Sequence, residues 1–208
     1  IDYAFFSVQP SAEDSTFFEN EINDIRSNLM SSNIIDDSTY AVINSDSFNP
    51  YVKYNPDELP TDLVGEDVGF ITEPTYENGS ISIKKLSKID QDAQEKARAK
   101  HILLRFDDSN KSTVRTEANR ILNLLRSGSD FEETARTYSQ DGSASNGGDL
   151  GWFTDGMMVK PFQDAVFSRR RSGLIPRIIE TDFGFHIINV TYPKTRTSYF
   201  VANISKDI

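Results

Sequence analysis

Tyr138-Ser-Gln-Asp-Gly-Ser-Ala-Ser-Asn-Gly-Gly-Asp-Leu-Gly-Trp-Phe-Thr-Asp-Gly-Met-Met-Val-Lys-Pro-Phe162 decides how the rest of the chain reads. The stretch opens as a Ser/Asn/Gly loop that carries one carboxylate, Asp141. Gly147-Gly148 permits a sharp turn, because glycine adopts positive φ without a Cβ penalty. From Leu150 the sequence becomes apolar, through Trp152, Phe153, Met157 and Met158. It closes on Pro161-Phe162, and proline suits the first turn of a helix, where its missing N–H is not needed. A polar loop that runs into an apolar wall has the composition of a recess with a few polar groups at its mouth.

The flanking segments alternate between helix and strand. Upstream, Ala99 to Phe106 is apolar and strand-like and carries His101. Val114, Ala118, Ile121 and Leu125 then recur at i, i+4, i+7 and i+11, one face of a helix, and Gly128 is placed to end it in a left-handed cap. Ser129 with Glu132 forms a capping-box pattern before a short helix lined by Phe131, Ala135 and Tyr138. Downstream, Phe162, Ala165 and Val166 give the helix after Pro161 a buried face. Ile175 to Ile179 reads as a strand, Phe183-Gly184 as a turn, and Phe185 to Val190 as a final strand carrying His186. His101 and His186 are the only histidines in the chain.

The first ninety residues follow a similar order. Ile1 to Val8 has strand character. Thr16-Phe17-Phe18-Glu19 matches a capping box, and Phe18, Ile22, Ile25 and Leu29 repeat the same i, i+4, i+7, i+11 spacing. Ser31 to Asn33 ends that helix, and Tyr40 to Ile43 is a short apolar run. Asn49 to Pro60 reads as irregular and Phe70 to Thr75 as a strand. Asn78-Gly79 is a hairpin turn, since both residues tolerate positive φ, and Ile81 and Ile83 alternate with polar neighbours after it. Asp90 to Arg98 is polar and built from good helix formers. It is the expected domain boundary, open between helix and hinge. Aligning Tyr3 with His101 and Gly79 with Gly184 overlays the two halves, which predicts an internal duplication.

Composition excludes several classes of function. Residues 1–92 hold four Lys, one Arg, eleven Asp and seven Glu, net −13, while residues 93–208 hold 17 basic and 14 acidic groups, net +3. The larger share of this charge repels phosphates, so no nucleic-acid partner is expected. No apolar run approaches the roughly 20 residues that span a bilayer. Without cysteine there is neither a disulfide nor a Cys-based zinc site. Two histidines lacking a matched third ligand predict no metal, and no cofactor motif is present. Gly142-Ser143-Ala144 lacks the Gly-x-Ser-x-Gly elbow of a serine nucleophile. The chain does not begin with Met and opens inside an apolar stretch, so it is expected to be a piece of a longer protein.

The second half resembles the parvulin family of peptidyl-prolyl isomerases. The residues that carry the resemblance are Lys100-His101-Ile102-Leu103, Phe131 to Ser139, Gly148-Asp149-Leu150-Gly151-Trp152-Phe153, Gly156-Met157-Met158, Pro161-Phe162 and Gly184-Phe185-His186-Ile187-Ile188. The resemblance implies an α+β fold, a four-stranded antiparallel sheet wrapped by helices, duplicated here with a degenerate first copy. It implies a proline pocket of Leu150, Met158 and Phe162 with Phe153 close by, and His101 and His186 facing each other from neighbouring strands. It also sets Asp141 at the catalytic position. The Gly-x-Met spacing selects Met158 over Met157. Gln163 stands where the family commonly has an acidic residue, and as a helix-surface glutamine it is expected to matter little.

The loop Asp107-Asp108-Ser109-Asn110-Lys111 lacks the Arg pair of phospho-specific parvulins, so selectivity for phosphorylated Ser-Pro or Thr-Pro is not expected. The first half has Tyr3 and Ile81 at its His positions and no Gly-Asp-Leu-Gly motif, and should be inactive. The expected organisation is therefore a degenerate domain over 1–92, an isomerase domain over 93–194, and the start of a following segment over 195–208. An inactive and an active domain in tandem resembles the periplasmic foldases held to the inner membrane, whose anchor would lie outside this piece. The partners so implied are unfolded or nascent envelope and secreted polypeptides. The alternative is a client-binding chaperone module with little isomerase activity.

Overall fold

The computed structural model describes residues 11–31 and 36–208. The strand expected over Ile1–Val8, including Tyr3, lies outside the described residues. The chain divides into two compact units, residues 1–91 with 197–208, and residues 92–196. Both combine helices with antiparallel strand pairs, an α+β architecture.

The first unit begins with α1 (Ala12–Met30). Its cap is Ser11, whose hydroxyl accepts from the Asp14 N–H at 3.1 Å while the Asp14 carboxylate accepts from the Ser11 N–H at 3.0 Å. The capping box therefore lies before the expected Thr16-Glu19 pair. Ser11-x-x-Asp14 offers the same reciprocal bonds, and Thr16 instead donates to the Ala12 carbonyl inside the helix. Ile22, Ile25 and Leu29 are buried against Ile81 and Ile83, as the spacing predicts. Tyr40–Ile43 falls in a short helix, α2 (Asp37–Asn44), capped by Asp36.

Asn49–Pro60, expected to be irregular, contains strand β1 (Tyr51–Tyr54). Its partner is Tyr199–Ala202, remote in sequence, so only the tertiary fold reveals it. Phe70–Thr75 makes a single bridge, Ile71 to Lys85, and the strand there is β2 (Thr75–Glu77). Asn78 (φ 51°) and Gly79 (φ 79°) form the hairpin turn into β3 (Ser80–Leu104). β3 runs without a break through Asp90–Arg98, which is neither a helix nor an irregular hinge. Residues 197–208 belong to this first unit, where Val201, Ala202 and Ile204 are buried.

The second unit is built on the later part of β3 and the earlier part of β7 (Gly184–Asp207), neighbours in the sheet. β4 (Asp149–Thr154) pairs with β3 through Lys96–Thr154 to Lys100–Asp149. β5 (Gly173–Leu174) and β6 (Ile179–Thr181) both pair with β7. Among the described residues this gives seven strands, in place of the expected four-stranded sheet. Two causes are visible. β3 and β7 each contribute residues to both units. In addition, the strand expected over Ile175–Ile179 is interrupted at Pro176, which has no N–H to donate.

Three helices complete the second unit. These are α3 (Lys111–Arg126), α4 (Phe131–Tyr138) and α5 (Lys160–Phe167). Gly128 ends α3 with φ 99°, as its position predicts. α4 is capped by Asp130, which accepts from the Glu133 N–H at 2.8 Å, one residue later than the expected Ser129–Glu132 box. Glu132 is engaged elsewhere, in ion pairs with Lys100 and Arg136. Ala118, Ile121, Leu122 and Leu125 bury one face of α3 against Ile102, Phe185 and Ile187.

Candidate functional site

His101 projects from β3 and His186 from β7, and both are buried. Their Nδ1 atoms face each other at 3.1 Å, with ring centroids 5.3 Å apart. Phe162, on α5, meets both rings edge-on at 5.6 and 5.4 Å. The outer nitrogen of His186, Nε2, lies 2.7 Å from the hydroxyl of Thr181, which in turn accepts from the Phe183 N–H at 3.1 Å. Nε2 of His101 lies 3.1 Å from Asp141 Oδ2, at ion-pair distance but without the angle of a hydrogen bond.

Asp141 caps a short 3-10 turn, Gly142–Asn146, accepting from the Ser143 N–H at 2.9 Å and its hydroxyl at 2.6 Å. The turn ends at Gly147 and Gly148, both with positive φ. Gly148 passes so close to β3 that a Cβ there would lie 2.2 Å from the His101 carbonyl oxygen. That approach is sealed by a hydrogen bond from the His101 N–H to the Gly148 carbonyl at 2.9 Å. Asp149 serves structure, pairing with Arg98 at 2.7 Å and accepting from the Gly151 N–H.

Together these elements enclose a recess of about 380 Å³. His101, Asp141, His186, Leu150, Met158 and Phe162 all line it, so the structure brings six of the seven expected site residues together. Phe153, the seventh, does not line it. It is buried behind Phe162 (6.1 Å between centroids) and stacked on Phe167 (5.9 Å), as part of the core that supports the wall. Met158 is half-buried beside Leu150, while Met157 also reaches the recess but is largely exposed.

Sequence reasoning missed Leu103, Arg105, Val159 and Phe183 among the lining residues. Leu103 stands two residues beyond His101 on β3 and Arg105 follows at the same spacing just past the end of the strand, so continuing its period-2 alternation could have found them. Phe183 is an exposed aromatic in the two-residue turn between Thr181 and Gly184.

Gln163 differs from expectation. It is buried rather than on the helix surface. Its side-chain oxygen accepts from the Gly156 N–H at 2.7 Å and its amide donates to the Asp155 carboxylate. It thus holds the turn that leads into Met157 and Met158.

Burial, and then the neighbouring His101, push the pKa of His186 down to about 4, so its imidazole is neutral at pH 7. For Asp141 burial acts upward. The hydrogen bonds from the Ser143 hydroxyl and N–H, and the proximity of His101, outweigh it and hold the carboxyl well below the usual range. The recess therefore has apolar walls and a neutral imidazole at its floor, with the Asp141 carboxylate and the Arg105 guanidinium among its lining groups. Among the described residues no three His, Asp or Glu side chains converge as metal ligands would. Such a site can hold a small apolar ring and withdraw the adjoining backbone from water.

The chain is similar to known proteins in sequence and in structure. Residues 81–194 match the PPIC-type PPIASE domain. The chain is 36% identical over 149 residues to the foldase protein PrsA of Geobacillus kaustophilus, covering 71% of this chain and 50% of that protein. It is 36% identical over 152 residues to the chaperone SurA of Burkholderia pseudomallei, covering 72% of this chain and 33% of that protein. A crystal structure of a PpiC-type peptidyl-prolyl cis-trans isomerase domain aligns with a TM-score of 0.47 at 29% identity, over 50% of this chain and 94% of the other. The chain spans half or less of the length of these two curated relatives. With more than half of its residues matched, this chain belongs to the family of PPIC-type PPIase domains.

Proposed function

We propose that residues 93–194 form a peptidyl-prolyl cis-trans isomerase that acts on unfolded polypeptides outside the cytoplasm. The observation that carries this reading is the recess walled by Leu150, Met158 and Phe162 and floored by the His101–His186 pair. Rotation about an X-Pro bond faces a barrier of roughly 20 kcal/mol set by amide resonance. Lowering it needs no covalent step. The site holds the proline ring, strips water from the flanking carbonyl and favours the twisted amide. His186, neutral and hydrogen-bonded at both nitrogens, keeps His101 in register. Asp141 acts through His101 or directly on the field at the rotating carbonyl.

The loop after β3 carries Asp107 and Asp108, which disfavours a phosphorylated residue before proline. The first unit is proposed as a degenerate copy without isomerase activity. Its exposed apolar side chains, among them Val42, Ile43, Phe48 and Val64, favour a second role in binding client chains. A cis/trans assay on a short Ala-x-Pro peptide tests the main reading. Acceleration by the wild-type chain, lost in a folded Met158→Ala variant, is expected. No acceleration by the wild-type chain would leave only the client-binding role.

A further inference from the structure

The second unit holds 16 basic and 14 acidic residues, net +2, against 6 and 18, net −12, for the first. Nine of those 16 cations sit in ion pairs with carboxylates. Five others are Arg126, Arg169, Arg170, Arg171 and Arg177, the last four within nine residues of one another in the chain. Among the described residues none of these five has a carboxylate partner. Arg126, in the last turn of α3, donates to the carbonyl of Pro176, the residue before Arg177. Arg169–Arg171 occupy the bend between α5 and β5, and Arg177 the bend between β5 and β6, so only the two-residue strand β5 separates the two bends. Ala165 to Ile179 contains no Asp or Glu. Arg170, Arg171 and Arg177 are exposed.

Three consecutive arginines repel one another, and a chain with 32 acidic residues leaves them without a carboxylate among the described residues. We propose that this arginine face docks on the phosphate headgroups of an anionic lipid bilayer. Guanidinium suits that partner better than ammonium does, because its planar fork binds phosphate oxygens in pairs and sheds water more easily. The arginines line neither the histidine recess nor the groove of Phe106, Glu180 and Asp182, and the exposure of Arg170, Arg171 and Arg177 suits an extended anionic surface. The two bends carry no aromatic side chain on which bases of a nucleic acid could stack. The acidic remainder of the chain opposes docking only weakly, since its field is screened beyond a Debye length of about 8 Å at physiological salt. This assignment is independent of the isomerase reading.

The test is co-sedimentation of the whole chain with vesicles of mixed phosphatidylglycerol and phosphatidylcholine, against vesicles of phosphatidylcholine alone. Binding to the anionic vesicles only is expected, lost at about 1 M salt, where the Debye length falls to about 3 Å. Each of Arg170→Ala and Arg171→Ala should weaken partitioning about fivefold. R170E with R171E should abolish it, while Lys160→Ala, which removes a cation paired with Asp164, should change it little. Unchanged far-UV circular dichroism in the double variant establishes that it is folded. Absence of binding to anionic vesicles overturns the proposal, as does equal binding by the double variant. Saturable binding of inorganic phosphate or poly-glutamate by these arginines without vesicle binding also overturns it, in favour of a soluble anionic partner.

Discussion

Nδ1 of His101 and Nδ1 of His186 face each other across 3.1 Å, so only one of the two nitrogens can hold the proton that joins them. The outer neighbours settle how the pair is read. The carboxylate of Asp141 favours a proton on Nε2 of His101, which leaves its Nδ1 as the acceptor. His186 then donates from Nδ1, and its Nε2 accepts from the Thr181 hydroxyl. The imidazole at the floor is fixed in one tautomer by groups on three different elements.

That arrangement makes stability depend on pH. Burial and the neighbouring His101 push the His186 pKa down to about 4 in the folded chain, from the ordinary 6.5 of an unfolded one. The unfolded chain therefore takes up this proton first as pH falls. The contribution is complete above pH 6.5, declines between 6.5 and 4, and is gone below 4. At 1.36 kcal/mol per pKa unit the loss is about 3 kcal/mol. Urea unfolding of wild type and His186→Phe across pH 7 to 4.5 measures it, and the two slopes should differ in this window. Parallel slopes would mean that His186 is not held neutral.

Asp141 combines a structural and an electrostatic task, and Asp141→Asn separates them. Asparagine caps as well as aspartate, so the bonds from Ser143 survive and the turn is kept, with a stability loss confined to the missing charge. The charge is removed, and isomerisation should slow by about tenfold or more, equivalent to about 1.4 kcal/mol of barrier. In wild type the carboxyl is charged well below pH 4, so activity should show no loss from its protonation between pH 8 and 5. An Asn variant with full activity would confine Asp141 to capping the turn.

Gln163 should govern binding more than rate. Gln163→Leu frees the Gly156 N–H and the Asp155 carboxylate, at a cost of about 1 kcal/mol. The turn bearing Met157 and Met158 loosens, and KM for a proline peptide should rise several-fold with kcat nearly unchanged. Gln163→Glu sets a second carboxylate against Asp155 and should be less stable than wild type at pH 7, the gap closing as pH falls. A drop in kcat without a change in KM would contradict this role.

Glycine is required at 148 and not at 142. A Cβ at Gly148 would meet the His101 carbonyl at 2.2 Å in a backbone of φ +79°, and backbone cannot give way as a flexible side chain can. Gly148→Ala is expected to cost about 3 kcal/mol or more and to lower the melting temperature by many degrees. Gly142 has open space around it and ordinary φ, so Gly142→Ala should be within about 0.5 kcal/mol of wild type. Calorimetry on the pair checks both.

How far the sequence could be read follows from what each signal rests on. Local apolar spacing located α1, α3 and α5, because helix faces are written within a dozen residues. The candidate site residues were named through a resemblance, and the recess gathers Leu150, Met158, Phe162, Asp141 and both histidines. Phe153 was misplaced because alternation along β4 does not say which of its faces meets the recess and which meets Phe167. Gln163 was misjudged because its polarity suggested solvent, while its partners Asp155 and Gly156 lie in a turn whose path no local pattern records. Tyr51–Tyr54 was hidden for a related reason, since its partner strand is nearly 150 residues away. Asp90–Arg98 reads as helix by propensity but continues β3, an instance of tertiary pairing overriding intrinsic preference.

The first unit is discontinuous in the chain, assembled from residues 1–91 and 197–208. On a ribosome the order of numbering and the order of completion therefore part. Residues 92–196 emerge whole and can fold as a unit, whereas the unit begun first waits for Val201, Ala202 and Ile204 to close its core. A chain stalled at residue 196 carries a complete second unit and an incomplete first one, with Ile22, Ile25, Leu63 and Ile81 lacking those neighbours. Emergence of residues 197–208, rather than synthesis of residues 1–91, sets the moment at which the first unit becomes a folded body.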